Sequence, residues 1–315
     1  MSDCLYFVVP CYNDADTLPV SVPVFLQKLD ALTAAGTISA DSRLLLVNDG
    51  SCDSTWEVIL TLKQKYGRIT AVNLARNVGE QNALLAGMFT AIKKADCVIT
   101  MDSDLQDDIE AVDEMLQHYA EGCDIVYGVH RMRKEDAFAE RFFAAAFYQL
   151  MRAARTGLIY QHANYRLMSR HAVALLQNNR QAVYYLPCVV SNLELKSAVV
   201  YHERFERAAG QSGYNFIKKY RLAVLALLAH SDVPIKLLGS ASALSAAGTA
   251  AAGVGLLKAW QRRGKMCGGW SVLCIGLPVF TVSCGALCLG AAKKRKSFLK
   301  PIAAPRYTIV QIVES

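Results

Sequence analysis

None of the ten cysteines in this 315-residue chain stands in a CxxC pair, which argues against a zinc ribbon or a disulfide-stapled scaffold. The opening Met1 to Pro10 lacks the charged-then-apolar pattern of a secretory leader and passes directly into a strand-like stretch. Internal repeats and low-complexity segments are missing as well, so no solenoid or fibrous architecture is expected. These absences predict a reducing, cytoplasmic setting for the N-terminal region, with its thiols free.

Charge is absent from two long stretches near the C-terminus, Leu237 to Leu257 and Met266 to Ala292. Each exceeds the roughly 18 residues that a spanning helix needs. The hydrophobic fraction of 53% is high for a water-soluble chain, and the mean hydropathy of +0.21 agrees. The first stretch is rich in Ala, Gly and Ser, with Gly248 and Ala252 suited to close helix packing. Trp260 and Trp270 bracket the connection, as indoles do at the headgroup level. Lys293, Lys294, Arg295 and Lys296 follow the second stretch and favour an anionic cytoplasmic leaflet. Lys258, Arg262, Arg263 and Lys265 load the opposite loop, but two crossings still return both termini to one side.

The first half alternates short apolar strands with helical periods, the pattern of an α/β domain with a mainly parallel sheet. Strands are expected at Leu5 to Pro10, Arg43 to Val47, Ile69 to Leu74, Cys97 to Met101 and Ile125 to Gly128. Helices are expected at Leu18 to Leu32, Trp56 to Tyr66, Gln81 to Lys94 and Phe138 to Arg155. Residues Ala163 to Tyr214 read as mixed and basic, and Phe216 to Ala229 as amphipathic. The expected organisation is a domain over 1–214, a juxtamembrane amphipathic helix over 215–232, two spans over 233–292 (about 237–257 and 268–292), and a cytosolic basic tail over 293–315.

Three polar clusters follow strand ends: Cys11 to Asp14, Asp49 to Asp53, and Asp102 to Asp108. Ligands of open α/β sheets bind outside the carboxyl ends of the strands, so the three should converge on one crevice. Within the third, Asp102 and Asp104 flank Ser103 and can reach one cation. Magnesium and manganese prefer such oxygen ligands and share them with substrate phosphates. Gln106 adds an amide oxygen.

Several segments, in order, resemble those of family-two glycosyltransferases of the polyisoprenyl-phosphate type, such as dolichol-phosphate mannose synthases and bactoprenol glucosyltransferases. Val8-Val9-Pro10-Cys11-Tyr12-Asn13-Asp14 resembles their VVPxYNE opening, and Val47 to Thr55 their VDDGSxDxT loop. Arg76 to Leu84 resembles RNxGxxxAL, and Asp102 to Asp108 resembles DxDLQDP. Arg166 to Arg170, Glu206 to Tyr214 and Pro305-Arg306-Tyr307 resemble the later FRLMSR, ERxAGESKY and PRY segments. The resemblance covers nearly the whole chain. It implies a GT-A type (Rossmann-like) nucleotide-sugar domain followed by a two-helix transmembrane hairpin.

By that resemblance, Pro10, Tyr12, Asp14, Val47 and Asp49 line the base and ribose, with Asp49 accepting hydrogen bonds. Asp102 and Ser103 meet the ribose and pyrophosphate, while Asp102, Asp104 and Gln106 hold Mg2+ or Mn2+. Arg204 and its neighbours bind phosphate, and Arg131, Arg133, Arg166, Arg170 and Arg207 are further candidates for a lipid phosphate. Asp104, Asn164, Arg166 and Arg204 form the catalytic group. The implied partners are a nucleotide sugar, a polyisoprenyl phosphate and the membrane, with no nucleic acid and room for a homo-oligomer. The chain departs from the pattern at His130, Pro187 and Gly213, where cationic residues are expected, and at Asn164, where an Asp is expected. These departures keep open a second reading, a protein that binds nucleotide sugar or membrane partners without turnover, and a third, transfer to a different lipid acceptor. No QxxRW-like segment is present, which argues against a processive polysaccharide synthase.

Overall fold

The computed structural model describes residues 2–130, 149, 162–178, 186–205, 231–263, 268–298 and 307–314. The expected helix over Phe138 to Arg155 lies outside them apart from Gln149, and the juxtamembrane segment 215–232 apart from Ser231 and Asp232. Eight strands form one sheet: β1 (Leu5–Cys11), β2 (Arg43–Asn48), β3 (Ile69–Leu74), β4 (Cys97–Thr100), β5 (Ile125–His130), β6 (His162–Ser169), β7 (Ser197–His202) and β8 (Ile309–Val313). Their order is β7-β5-β6-β4-β1-β2-β3-β8. β6 runs antiparallel to both β4 and β5, and β8 antiparallel to β3. The other six share one direction, so six carboxyl ends meet along one edge.

β1 is buried along its whole length, as a strand covered on both faces must be. Its alternate side chains feed two cores. Leu5, Phe7 and Val9 pack with Leu18, Val22 and Phe25 of α1 (Leu18–Ala34) and with Val112 and Met115 of α4 (Ala111–Ala120). Ile59 of α2 (Thr55–Lys65) belongs to the same cluster. Tyr6 and Val8 face α3 (Glu80–Ala91) and α5 (Arg170–Asn178), with α6 (Leu186–Ser191) alongside. Lys28 of α1 reaches across to Glu110 at 2.6 Å and Asp113 at 2.8 Å, which clamps α1 to the start of α4.

The chain departs from β1 to β2 and β3 on one side and returns to β4 on the other. That reversal opens a crevice between the loops after β1 and β4. The stretch read as mixed, Ala163 to Tyr214, supplies β6, α5, α6 and β7. Its short elements carry too few periods to be legible one at a time.

α7 (Val233–Arg263) and α8 (Gly268–Phe298) pack as a hairpin. The Ser245 hydroxyl donates to the Leu277 carbonyl at 3.0 Å, and the Ser242 hydroxyl to that of Thr281 at 3.1 Å. Gly248 sits where a Cβ would lie 3.6 Å from Leu277, so small residues let the backbones approach. Two stretches, Val233–Gly255 and Gly276–Lys296, are long and apolar enough to cross a membrane. Residues 293–315 differ from a plain tail: α8 continues to Phe298, and Ile309–Val313 adds the edge strand β8 beside β3. Lys94 fixes its end through Glu314 at 2.6 Å. The sequence reading passed over β8 because five half-exposed residues carry little hydrophobic signal.

Gly87 is where α3 comes closest to the sheet, since a Cβ there would stand 2.4 Å from Val8 Cγ1 and 2.8 Å from Val47 Cγ2. Ala is the better helix former by about 1 kcal/mol, yet overpacking a filled core costs about 1–3 kcal/mol. Gly87→Ala is therefore expected to lower the thermal midpoint of the full chain. A rise on scanning calorimetry would show that α3 can lift from β1 and β2 without loss.

Candidate functional site

The loop after β1 is tied to its neighbours through polar side chains. Asp14 accepts the Tyr12 N–H at 3.0 Å and the Ser103 hydroxyl at 2.9 Å, which joins the first loop to the third. Its own N–H donates to Thr55 Oγ1 at 2.8 Å. Burial raises the Asp14 carboxyl above its usual range, and these two donors work against the shift. Asn13 adopts φ 55°, a left-handed conformation that Asn tolerates better than most residues. Its amide oxygen accepts the Cys52 N–H at 2.9 Å.

Tyr12 leaves its ring 44% exposed, available for stacking, while Pro10 and Val47 are buried register partners of β1 and β2. Only their backbone edges can meet a ligand. Asp49 is also buried, and its two oxygens accept the Val78 N–H at 2.8 Å and the Gly79 N–H at 3.0 Å. In this geometry Asp49 positions the turn that opens α3. Gly50 supports the same contact: at φ 60° it lies so close that a Cβ would be 2.3 Å from the Arg76 carbonyl carbon.

The acidic loop after β4 holds the densest charge. Asp104 is nearly buried, and its Oδ1 accepts the Gln106 N–H at 3.2 Å. Gln106 faces a cation of the protein itself, since its Oε1 accepts from Arg204 Nη2 at 2.8 Å. Arg204 is thus held at this loop, and a backbone bridge between Asp107 and Arg204 reinforces it. β6 pairs beside β4 and brings Asn164 and Arg166 to the same end. Arg166 is almost fully buried and donates to Asn164 Oδ1 at 3.3 Å. Asn164 Nδ2 in turn donates to Glu80 Oε1.

Glu80 was not singled out in the sequence, where it reads as an ordinary acidic residue in the first turn of a helix. Burial, then the charge of Asp102, pushes its carboxyl up to about 8, with Arg166 and the Asn164 hydrogen bond opposing. Asp107 is also raised well above the carboxylate range, by burial and then by Asp102 and Asp104. Excess negative charge of this kind suits a hard divalent cation held by Asp102 and Asp104.

Arg170, four residues beyond Arg166, does not join the site. It pairs with Asp96 at 3.1 Å and donates to the Ala95 carbonyl at 2.8 Å, at the opposite end of β4. The reason is length: four residues of strand span about 13 Å. Arg131, Arg133, Arg207 and Gly213 lie outside the described residues.

His130 and His202 were not read as a pair, being 72 residues apart in sequence, yet they are register partners at the ends of β5 and β7. Their rings meet edge to face with centroids 4.6 Å apart, beside Asp107. Burial, then His202 and Arg204, lowers His130 to about 4, so it is neutral at pH 7.

A family model described as glycosyl transferase family 2 matches residues 6–176, more than half of the chain. The chain belongs to that family. The glycosyltransferase YkoT of Bacillus subtilis (strain 168) is 37% identical over 273 residues, which covers 87% of this chain and 81% of that one. The bactoprenol glucosyl transferase of Shigella phage SfV is 29% identical, covering 73% of this chain and 72% of its own length. An undecaprenyl-phosphate 4-deoxy-4-formamido-L-arabinose transferase of Pectobacterium carotovorum is 28% identical, with 76% and 72% covered. The sheet and crevice described above are therefore a GT-A type family-two domain, and the two apolar helices follow it.

Glu80 makes stability in this family-two domain depend on pH when a chelator keeps cations away. Its folded value near 8 exceeds the ordinary 4.5, so its contribution is full below about 4.5 and is lost as pH rises through 8. The thermal midpoint of wild type is expected to fall, relative to Glu80→Gln, across that window. Parallel midpoint curves for the two proteins in EDTA would remove Glu80 from the buried acidic group.

Proposed function

We propose that this glycosyltransferase moves a hexose from a UDP- or GDP-linked sugar to a polyisoprenyl phosphate, with inversion and with a divalent cation, Mg2+ or Mn2+. The observation that carries the reading is the pair Asp102 and Asp104 at the switch point of the sheet, in a chain that also bears an apolar helical hairpin. Asp102 and Asp104 would hold the cation. Gln106 could join them only by sharing an oxygen that Arg204 already uses. When bound, the ion offsets the charge that develops on the departing diphosphate.

The chain's own residues supply the positioning. Tyr12 offers a ring face to the base, and Asp14, fixed by Ser103, offers an acceptor to the ribose. Arg204, anchored on Gln106, places a planar cationic fork beside the acidic loop, a group suited to phosphate. A phosphate acceptor is already ionised at neutral pH, so the site has to align it and screen like charges more than remove a proton. A single displacement at the anomeric carbon inverts its configuration.

The hairpin fits a membrane acceptor, and β8 fits two crossings. If α7 and α8 span, the chain has to come back to the side that holds β3 before Ile309 can pair with it. On this reading the protein is a multi-pass membrane protein with its catalytic domain in the cytoplasm. The assigned units, 1–214, 215–232, 233–292 and 293–315, then describe membrane placement, with β8 belonging to the cytoplasmic sheet.

Two substitutions test the proposal. Purified full-length protein with Mn2+ or Mg2+, labelled UDP-glucose, UDP-galactose or GDP-mannose, and undecaprenyl or dolichyl phosphate should yield labelled lipid. Asp104→Asn should reduce initial rate by about 10²-fold or more, the scale of losing a preorganised charge-stabilising group. Labelled lipid at wild-type rate from the variant would take Asp104 out of the cation site, and no labelled lipid with any pair would favour binding without turnover. Asn164→Asp should not raise the rate, because the new carboxylate would face Glu80 in place of an amide donor. General-base help is worth about 10²–10⁴ where a proton must leave, so an increase on that scale would show that a base is needed after all.

A further inference from the structure

The end of the sheet beyond β6 carries a second group of metal-ligating side chains that the transfer reaction does not use. His130 and His202 stand opposite one another because β5 and β7 are parallel and in register. Asp107, from the acidic loop, comes over both. Its Oδ1 lies 3.6 Å from His130 Nε2 and 3.9 Å from His202 Nε2. One potential ligand atom from each residue lies within 4.8 Å of the others.

Hydrogen bonding does not explain the arrangement. Both separations exceed the range of an N–H···O bond. His202 Nδ1 is 3.0 Å from the Glu203 carbonyl oxygen, and a carbonyl can only accept, so Nδ1 carries the proton. In a neutral ring Nε2 then presents a lone pair. That atom is buried without a partner, on a side chain with no exposed surface, and points towards a carboxylate oxygen. His130 Nδ1 is likewise buried and unpartnered. A lone pair facing a carboxyl oxygen across a gap wider than a hydrogen bond has the geometry that a cation between them would complete. The Nδ1–H to carbonyl bond also fixes the tautomer and orientation that a ligating histidine requires.

We propose that Asp107, His130 and His202 form a transition-metal site of the zinc class, distinct in chemistry from the hard-cation site at Asp102 and Asp104. Bonds of about 2.0–2.1 Å to nitrogen and oxygen in a tetrahedral site put ligand atoms about 3.3 Å apart. The two gaps to Asp107, 3.6 Å and 3.9 Å, close to that by shifts of well under an ångström. Two imidazoles and one carboxylate favour Zn2+ or Co2+ over Mg2+, which prefers oxygen alone. The three protein ligands leave a fourth position, and Asp107 lines a small cavity together with Asp102, Leu105 and Tyr165. The bound ion ties the ends of β5 and β7 to the acidic loop, and it restores a positive charge at position 130.

The test uses the full chain in detergent, stripped with EDTA, and reads metal binding directly. One Zn2+ per chain is expected by elemental analysis after desalting. Co2+ should give the visible absorption of a four-coordinate nitrogen and oxygen site, which Zn2+ abolishes and a large excess of Mg2+ does not. His202→Phe, which keeps the ring, and His130→Ala, at a more exposed position, should each weaken Zn2+ binding by about 100-fold or more, since even outer-shell changes cost 10–100-fold. Asp104→Asn, which removes a neighbouring charge but no ligand, should change it by less than about 10-fold. Zn2+ should also raise the thermal midpoint of wild type and not of folded His130→Ala. Equal Zn2+ affinity in the histidine variants, or a Co2+ spectrum lost in Asp104→Asn and kept in His130→Ala, would overturn the proposal. Because the readout is not sugar transfer, failure of this site and failure of the transferase reading are separable: labelled lipid without histidine-dependent Zn2+ sinks only the former, and the reverse sinks only the latter.

Discussion

Negative charge crowded at one end of a parallel sheet governs this molecule. Burial, with the charges of Asp102 and Asp104 adding to it, holds Glu80 and Asp107 above the usual carboxylate range. Such a group is stable only if positive charge or protons reach it. Two guanidinium groups meet part of that demand, since Arg166 lies buried against Asn164 and Arg204 leans on Gln106, while burial raises Glu80 and Asp107 towards their neutral forms. The unfavourable electrostatics of the fold are thereby concentrated at the carboxyl ends of the strands, where the proposed cation would relieve them.

Much of this was readable in the sequence because strand ends in an α/β sheet are punctuated. The ends of β1 to β5 were expected within two residues of where they lie, since each is a short apolar run closed by a polar cluster. The three clusters meet as expected, joined by Ser103 to Asp14 and by Asn13 to Cys52. Long-range partners were not readable. Nothing local marks Glu80 as the acceptor of the Asn164 amide, or pairs His130 with His202, because those contacts follow from register across β5, β6 and β7. Val47 and Asp49 show the converse: their places at a strand end were visible, but not that one packs against α3 and the other serves two backbone N–H groups.

The last strand links the helical hairpin to the catalytic sheet. β3 would otherwise present an unpaired edge, a liability that proteins cover, and β8 covers it from beyond both apolar helices. Tyr307 and Ile309 pack against the core on the α3 side, so the closing residues are anchored by side chains as well as backbone. The hairpin is thus followed in the chain by a strand of the same sheet that precedes it. Arg295 also pairs with Asp232, bringing the end of α8 to the start of α7.

The departures from the family pattern then look less like loss than like relocation of charge. Resemblance leads one to expect a carboxylate at 164, and the chain has an amide there that donates to a carboxylate at Glu80. It leads one to expect a cation at 130, and the chain has an imidazole that faces Asp107 with a second imidazole beside it. Counting formal charge by motif position would record a defect at each of these two of the four departures, whereas the three-dimensional arrangement keeps a carboxyl group next to Arg166 and places two imidazoles over the acidic loop. Both exchanges make the site more dependent on conditions, because a protonated Glu80 and neutral imidazoles replace groups whose charge is fixed at neutral pH. Wherever a bound cation makes the potential around Asp102 and Asp104 less negative, Glu80 loses part of what holds its proton, so cation binding and ionisation of Glu80 are linked.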